Sequence, residues 1–374
     1  MTPETSVSDS DLKRYLPALD GLRGISILWV LSLHLPGQMP PGGNAITNRG
    51  HFGVELFFAI SGFLVTRSLH QCIARAERDA QGTFAVVRDF VARRVSRIWP
   101  PYFLALVVVL VAALLDPTFR GHFAEVTGIL WSYPTFLANY AIPYQEPPLS
   151  LLVMWSLCFE EQFYVILIAV YLLSGKRLAR WLLVAALVSI SLRFFVALVR
   201  PETFVKFAMQ MQLHWRFDAI AWGCLAWLYH RPIRDFWERT RHRRLFEVVI
   251  VLAAIAACVP DPTAPLGQAA AHVGMAVAFT LLVVALAFSP DFWLARALSI
   301  RPLAFIGVIS YELYLSHVSV YRALSRLKLD DERWLYYPLC LSLSLVVAWL
   351  FHRLFAKPTQ VWVRSRLTPL PVGA

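Results

Sequence analysis

The sequence has few charged residues for its length. Of 374 residues, 16% are charged and 58% are hydrophobic, and the mean hydropathy is +0.56. Because a soluble domain is about one-quarter charged, this composition argues against a water-soluble globular fold. The apolar residues fall in runs of about 18 to 25, the length with which an α-helix crosses a lipid bilayer. We therefore predict an all-α protein, a polytopic transmembrane helical bundle.

Cysteines are scarce, and acidic residues are fewer than basic ones. The 5 cysteines form no CxxC pair, so the sequence indicates neither a metal site nor a disulfide framework. The net charge of +11 raises the question of nucleic acid. The basic residues, however, form short clusters between apolar runs, which is typical of lipid headgroup contacts and membrane topology, and we expect no nucleic-acid partner.

About eleven apolar segments are candidates for crossing the bilayer. They lie at 16–36, 51–69, 98–115, 126–143, 149–173, 178–199, 213–229, 245–259, 268–288, 303–321 and 334–355. The segment 126–143 is the most polar of the set. If it does not cross and the N-terminus is cytoplasmic, most Lys/Arg clusters lie inside, as the positive-inside rule requires. If it crosses, the clusters near Lys176 and Arg231 are exported.

The charge distribution therefore favours about ten transmembrane helices with both termini cytoplasmic, in the inner (plasma) membrane of the cell. The segment 126–143 is then interfacial or re-entrant at the outer face. We expect a polar N-terminus at 1–15, a membrane domain at 16–356 and a C-terminal tail at 357–374. The N-terminus has no basic start that leads straight into a short apolar region, so it is not predicted to be a cleavable signal peptide.

Several charged residues lie inside the apolar segments, where each costs at least about 2.5 to 3.5 kcal/mol and marks a functional-site hypothesis. The first segment holds Asp20, Arg23 and His34. Arg23 and His34 are three helical turns plus about 20° apart, on one face, with a rise of about 16 Å. The alternative is a snorkelling arginine and a histidine that only packs in the bundle.

The second segment carries Glu55 near its outer end, and its glycines are expected to allow close helix packing. Between this segment and the third stand Arg93, Arg94 and Arg97. Guanidinium groups bind phosphates bidentately, so these arginines, together with Arg23, are candidate contacts for a phosphorylated cofactor. The open alternative is that these arginines only set the membrane topology and contact lipid headgroups.

Later segments add further candidates. Glu160 and Glu161 lie near mid-membrane and point about 100° apart, so we expect one of them to line a cavity, with His34 as a reasonable partner. Arg216 and Asp218 are predicted to form an ion pair with a mainly structural role. The remaining candidates are Trp155, Ser156 and Tyr164 beside the two glutamates, and Tyr311 and His317 near the C-terminus.

Six motifs occur in one order along nearly the whole chain, and together they resemble the membrane acyltransferase-3 family, which includes bacterial O-antigen and exopolysaccharide O-acetylases. The motifs are LDGLRGISILWVLSLH, FGVELFFAISGFL, RRVSRIWPPY, WSLCFEEQFY, RFDAIAWG and ISYELYLSH. The Arg23-x10-His34 spacing is similar to the family hallmark, and Arg94-x2-Arg97 resembles its proposed acyl-CoA contact. The chain departs from the family at Lys357, before Pro358, where an acidic residue is usual.

The resemblance implies ten helices, cytoplasmic termini and an O-acyltransferase, most simply an O-acetyltransferase acting on a carbohydrate or related hydroxyl. No permanently bound cofactor is expected; acetyl-CoA or another acyl-CoA is the donor substrate. His34 is then the general base or a transiently acylated nucleophile, and Glu160 or Glu161 orients it. The printed sequence lacks the hydrolase-like domain of some relatives, so the membrane core is expected to act alone or with a separate partner.

Two other classes of function remain open at this point. Buried charges are also typical of a transporter or flippase, although the two halves of the chain show no internal repeat. The third possibility is a non-catalytic membrane scaffold.

Overall fold

A computed structural model of the chain describes residues 12, 14–35, 49–115, 127–145, 147–203, 211–259, 264–327 and 333–368, and these contain helices and no strand. The α-helices are α1 (Pro17–Leu33), α2 (Phe52–Arg78), α3 (Thr83–Leu115), α4 (Ala138–Ala141), α5 (Leu149–Leu152), α6 (Trp155–Ser174), α7 (Leu178–Val199), α8 (Leu213–Leu228), α9 (His230–Arg239), α10 (Arg243–Ala257), α11 (Pro265–Phe288), α12 (Trp293–Leu298), α13 (Arg301–Val308), α14 (Ser310–Ser325), α15 (Arg333–Phe351) and α16 (Lys357–Leu367). Short 3₁₀ helices lie at Thr127–Ser132, Ile142–Tyr144, Gly175–Arg177 and Pro201–Thr203, and a π-helical turn lies at His352–Ala356.

The all-helical prediction is confirmed for the described residues. Within them, 6 helical stretches are long and apolar enough to cross a membrane, or up to 7 if α13 and α14, interrupted at Ile309, count as one bent span. The chain is thus a multi-pass membrane protein by helix length and composition. Ten crossings and cytoplasmic termini stay predictions. Most of the polar N-terminus and residues 369–374 of the tail lie outside the described residues.

The polar segment 126–143 forms only short helical pieces. Those in its described part contain 6, 4 and 3 residues. A helix needs about 20 residues to cross the hydrocarbon core, so none of these pieces can cross it alone. This agrees with the expectation that the segment does not span.

Helix α3 is longer than the apolar run predicts. It begins at Thr83 rather than near residue 98, so Pro100 and Pro101 lie inside the helix instead of opening it. A proline has no N–H, so the two prolines leave the carbonyls of Ser96 and Arg97 without helical donors. Next to this break, the Tyr311 hydroxyl donates to the carbonyl of Ile98 at 3.0 Å.

The described chain forms two compact units, each assembled from separate stretches of sequence. Unit 1 consists of Met1–Ser26, His51–Gln71 and Phe159–Gly307. Unit 2 consists of Ile27–Gly50, Cys72–Cys158 and Val308–Ala374.

In unit 1, α8 packs against α7 and α11, and α10 packs against α11. Two glycines bring α2 and α8 together, because a Cβ at Gly62 would clash with the carbonyl of Ile220 and a Cβ at Gly223 would clash with that of Ala59. The prediction that glycine in the second segment serves close helix packing is therefore confirmed at Gly62.

In unit 2, α3 packs against α5, α14 and α16, and α14 packs against α15. The segment after α3 folds over it: Tyr102 donates to the carbonyl of Tyr133 at 2.9 Å, and Phe136 contacts the rings of Trp99, Tyr102 and Phe103. This packing holds residues 133–136 on the aromatic face of α3.

Candidate functional site

Two histidines of unit 2 are joined directly. His34 follows the last residue of α1, and His317 lies in α14 and is fully buried. The Nδ1 atom of His34 lies 2.9 Å from the Nε2 atom of His317, a hydrogen-bond distance. The structure therefore brings together two predicted site residues that are far apart in the sequence.

The surroundings of His317 determine which nitrogen carries each proton. Its Nδ1 atom lies 2.7 Å from the carbonyl of Tyr314 and 3.2 Å from that of Leu313, and carbonyls only accept hydrogen bonds. Nδ1 of His317 must therefore be the donor, and in a neutral imidazole its Nε2 is then an acceptor. It follows that His34 donates through Nδ1, which leaves the lone pair on Nε2 of His34 for a reacting proton or acyl group.

A second set of hydrogen bonds holds the helix turn beside His317. The Tyr314 hydroxyl donates to the carbonyl of Val153 at 2.6 Å and accepts from Ser156 at 2.8 Å. The rings of Tyr314 and His317 are 5.8 Å apart. Ser156, predicted from its motif, thus supports His317 through Tyr314, and the neighbouring Trp155 is half-buried.

One further histidine of unit 2 pairs with a carboxylate. The Glu312 carboxylate lies 3.0 Å from Nδ1 of His352, the first residue of the π-helical turn. This pair was not predicted from the sequence. The sequence does contain a signal for it, because Glu312 lies in an apolar helix, where a carboxylate needs a partner.

The predicted arginine cluster lies in the first half of α3. Arg93 and Arg94 are half-buried, Arg97 is exposed, and the Arg94 guanidinium lies 5.9 Å from the centre of the Phe90 ring. Two arginines that the sequence did not single out, Arg75 of α2 and Arg364 of α16, lie within electrostatic range of Arg93. Helix α16 packs on α3, so the C-terminal residues contribute to this basic surface.

In unit 1, the predicted pair of Arg216 and Asp218 is wrong. Arg216 instead forms an ion pair with Glu55, and Asp218 accepts two hydrogen bonds from Arg193 at 3.1 and 3.0 Å. Residues two apart on a helix face different directions, so each side chain reaches another helix. Arg216 also has non-helical backbone angles, φ −130° and ψ 19°, which mark a kink in α8.

Arg193 is the residue that the sequence reasoning missed here. It is fully buried, and its planar guanidinium meets both carboxylate oxygens of Asp218. The signal was a charged residue well inside the apolar run 178–199, whose other charged residue, Arg180, lies near its start. The same signal singled out the other buried charges.

The paired glutamates have different surroundings in unit 1. Glu160 accepts hydrogen bonds from Ser61 and Tyr164, both at 2.9 Å, while Glu161 is 9% exposed. Tyr164 is thus a direct partner of Glu160, as its motif suggests. The orienting role of either glutamate toward His34 stays a prediction.

The remaining candidates of unit 1 lie at the start of α1. Asp20 and Arg23 are half-buried. The backbone carbonyl of Asp20 lies against Gly307, where a Cβ would clash with it. Tyr15, which precedes the helix, donates a hydrogen bond to the Asp20 carboxylate. This hydrogen bond raises the pKa of the Tyr15 phenol.

Metal ligands and disulfides are not found among the residues that the structure describes. All 5 cysteines are free, and no group of three or more His, Cys, Asp or Glu side chains is placed to hold a metal ion there. The candidate site is therefore described by hydrogen bonds and ion pairs alone.

Comparison with known proteins identifies relatives over most of the chain. The family model described as "Acyltransferase domain" matches residues 16–353. A Staphylococcus aureus (strain COL) protein with the provisional name of an O-acetyltransferase is 29% identical over 369 residues, covering 92% of this chain and 57% of its own length. O-acetyltransferase OatA of Staphylococcus aureus (strain NCTC 8325 / PS 47) is 27% identical over 327 residues, covering 82% of this chain and 51% of its own length.

The chain thus spans about half the length of the curated relatives it matches. No solved structure matches it. The family match runs from before α1 to the π-helical turn and includes every candidate residue named above except Tyr15 and Arg364. The chain belongs to the acyltransferase-3 family of membrane enzymes.

Proposed function

We propose that the chain is a membrane O-acyltransferase, most simply an O-acetyltransferase, that moves an acyl group from acyl-CoA to a hydroxyl of a carbohydrate or related acceptor. The observation that carries the proposal is the hydrogen bond between His34 and His317, which leaves Nε2 of His34 as an acceptor. Names of the relatives support an O-acetyl product, and the family match supports acyl transfer.

In the first form of the mechanism, Nε2 of His34 removes the proton of the acceptor hydroxyl. The hydroxyl oxygen attacks the thioester carbon, a C–O bond forms and the C–S bond breaks. The proton then passes from His34 to the CoA thiolate. A positioned base of this kind contributes about 10² to 10⁴ in rate, and the neutral Nε2 of His317 stabilises the imidazolium through the same hydrogen bond.

In the second form, Nε2 of His34 attacks the thioester itself. An N-acyl-imidazole forms and CoA leaves, after which the acceptor oxygen takes the acyl group from His34. The two forms differ in one observable, since only the second releases one equivalent of CoA per enzyme before an acceptor is added.

The donor is expected to enter at the arginine cluster of α3. CoA carries phosphate groups, for which arginine is the best-suited side chain. Arg93, Arg94 and Arg97 would bind these phosphates, and Arg75 and Arg364 add positive potential at the same surface. Arg23, predicted as a further phosphate contact, keeps that role as part of the proposal.

The experiment that tests this function compares cell-surface glycans from cells with the wild-type chain and with His34→Ala. Mass spectrometry should find an acetyl-sized mass on a surface glycan of wild-type cells and its loss in the variant. His242→Ala, which removes an exposed histidine outside the site, is the matched control and should retain the modification. Normal acetylation with His34→Ala would overturn the proposed role of His34.

A further inference from the structure

Unit 1 contains a large apolar cavity, and none of its lining residues is among the candidate site residues described above. It has a volume of about 800 Å³ and lies between α8, α9, α10 and α11. The residues lining it are aliphatic or aromatic except for Thr280. This volume is in the range of small-molecule sites, about 300 to 1,000 Å³, but the lining offers almost no polar contact to a water-soluble ligand.

The shape of the lining shows what kind of molecule fits. Along α8 and its C-cap the lining runs from Trp222 to Tyr229, and along α10 it runs from Phe246 to Ala253. Seven residues of helix separate Trp222 from Tyr229, a rise of about 10 Å. The lining therefore extends at least about 10 Å along the helices, which is room for a stretch of an alkyl chain.

Helix α9 forms one boundary of the cavity and is amphipathic. Pro232, Ile233, Phe236 and Trp237 line the cavity, whereas the charged residues of the helix do not. The indole nitrogen of Trp237 donates to the hydroxyl of Ser289, which ties α9 to the end of α11. A short helix with this pattern is typical of the membrane interface, with its apolar face toward the hydrocarbon.

The charge beside the cavity is strongly positive. Residues 230–244 contain six arginines, Arg231, Arg234, Arg239, Arg241, Arg243 and Arg244, against the two acids Asp235 and Glu238. Arg243 contacts Glu247 at 3.4 Å and Asp291 at 4.0 Å, while Arg239, Arg241 and Arg244 are exposed. Arg244 is two residues from Phe246 and Arg239 is two from Trp237, so this charge stands at the α9 end of the cavity.

We propose that this cavity is a binding site for an anionic glycerophospholipid. One acyl chain fills the space between α8, α10 and α11, and the phosphate of the headgroup meets the exposed arginines at the end of α9 and the start of α10. Charge complementarity selects an anionic lipid over a zwitterionic one, because clustered arginines at the interface attract negative headgroups.

The test uses the purified full chain in detergent, titrated with phosphatidylglycerol or with phosphatidylcholine of the same acyl chains, and native mass spectrometry to count bound lipid. Ala253 is exposed and lines the cavity, so Ala253→Trp should fill it without disturbing the core. Ala256→Trp, on the same helix but not in the lining, is the matched control. We expect Ala253→Trp to weaken phosphatidylglycerol binding at least tenfold and Ala256→Trp to leave it unchanged.

The headgroup is tested separately. Replacing Arg239, Arg241 and Arg244 together with glutamine should abolish the preference for phosphatidylglycerol over phosphatidylcholine, while the same change at exposed Arg177 and Arg180 should retain it. If Ala253→Trp does not fold, Ala253→Leu replaces it in the test. Leucine fills less of the cavity, so we expect a smaller loss of phosphatidylglycerol binding.

Two results would overturn the proposal. The first is that Ala253→Trp and Ala253→Leu both fold and bind phosphatidylglycerol as tightly as the wild type does. The other is a change in oligomeric state with Ala253→Trp or Ala253→Leu in the absence of lipid, since the occupant would then be a second copy of the chain.

Discussion

At the scale of single residues, the two ring nitrogens of His34 have different tasks. Nδ1 is used in the bond to His317, and Nε2 is the atom proposed to act on the substrate. The carbonyls of Leu313 and Tyr314 determine this arrangement, because they accept from Nδ1 of His317 and so leave Nε2 of His317 to accept from His34. The sequence predicts both histidines as candidates, but not their contact, because no sequence spacing relates residues 34 and 317.

His317→Ala should lower kcat for acetyl transfer by at least about tenfold and change the apparent KM for acyl-CoA little, because His317 positions His34 rather than binding the donor. His317→Gln, whose side-chain oxygen can accept from Nδ1 of His34, should restore part of the activity. The measurement is steady-state kinetics in proteoliposomes. Equal kcat for His317→Ala and the wild type would contradict the positioning role.

The buried pair of Arg193 and Asp218 gives a prediction about stability. Asp218→Asn leaves a buried guanidinium without its counter-charge and should lower the free energy of unfolding by about 3 to 5 kcal/mol. The double variant Arg193→Met, Asp218→Leu should be more stable than Asp218→Asn, because no buried charge is left. Thermal unfolding in one detergent compares the variants, and an unchanged melting temperature for Asp218→Asn would contradict the account.

The sequence could identify the buried charges but not their pairing. Asp218 and Arg216 were recognised from the cost of charge in an apolar helix, and both are fully buried. Their partners, Arg193 and Glu55, come from other helices, and the packing of helices is not encoded in any local pattern.

At the scale of elements, long apolar runs predict helices well. The run 178–199 matches α7, and 268–288 falls within α11. Apolar runs do not predict where a helix is interrupted, because an interruption depends on the backbone angles of single residues. The segment 303–321 is interrupted at Ile309, whose angles are φ −91° and ψ 8°, and hydropathy does not detect such a break.

The close contact of α2 and α8 leads to a prediction about packing. Gly62→Ala and Gly223→Ala should each destabilise the chain, because the new Cβ would meet a backbone carbonyl that cannot move aside. Gly274→Ala in α11 is the matched control, since among the described residues no atom beyond its chain neighbours and the nearby backbone of its own helix lies within 4 Å of its Cβ position. It should be neutral or stabilising by up to about 1 kcal/mol. Equal melting temperatures for the three variants would contradict this packing.

At the scale of the whole molecule, the described chain forms two compact units, and the membrane domain at 16–356 stays a prediction. Each unit combines early and late parts of the sequence; unit 2, for example, includes residues near 27, 100 and 320. Interleaving of this kind arises from long-range packing, which apolar runs and charge clusters do not determine. The Lys/Arg clusters do, however, predict which loops lie on each side of the membrane.

Exposed residues on the two predicted sides should differ in labelling. In a Cys258→Ser background, where the other four cysteines are buried, Trp131→Cys should react with a membrane-impermeant maleimide in intact cells. Arg177→Cys should react only after the membrane is opened. Labelling of Arg177→Cys in intact cells would contradict the predicted orientation.

The most direct test of the central claim measures free CoA thiol released from acetyl-CoA by proteoliposomes that contain the purified chain and are supplied with extracted surface glycan as the acceptor. The account predicts release by the wild type and by His242→Ala, and a loss of about 10² to 10⁴ in rate with His34→Ala. A transporter or scaffold would release no CoA at all. Release by His34→Ala at the wild-type rate would contradict the assignment of His34 as the reacting group.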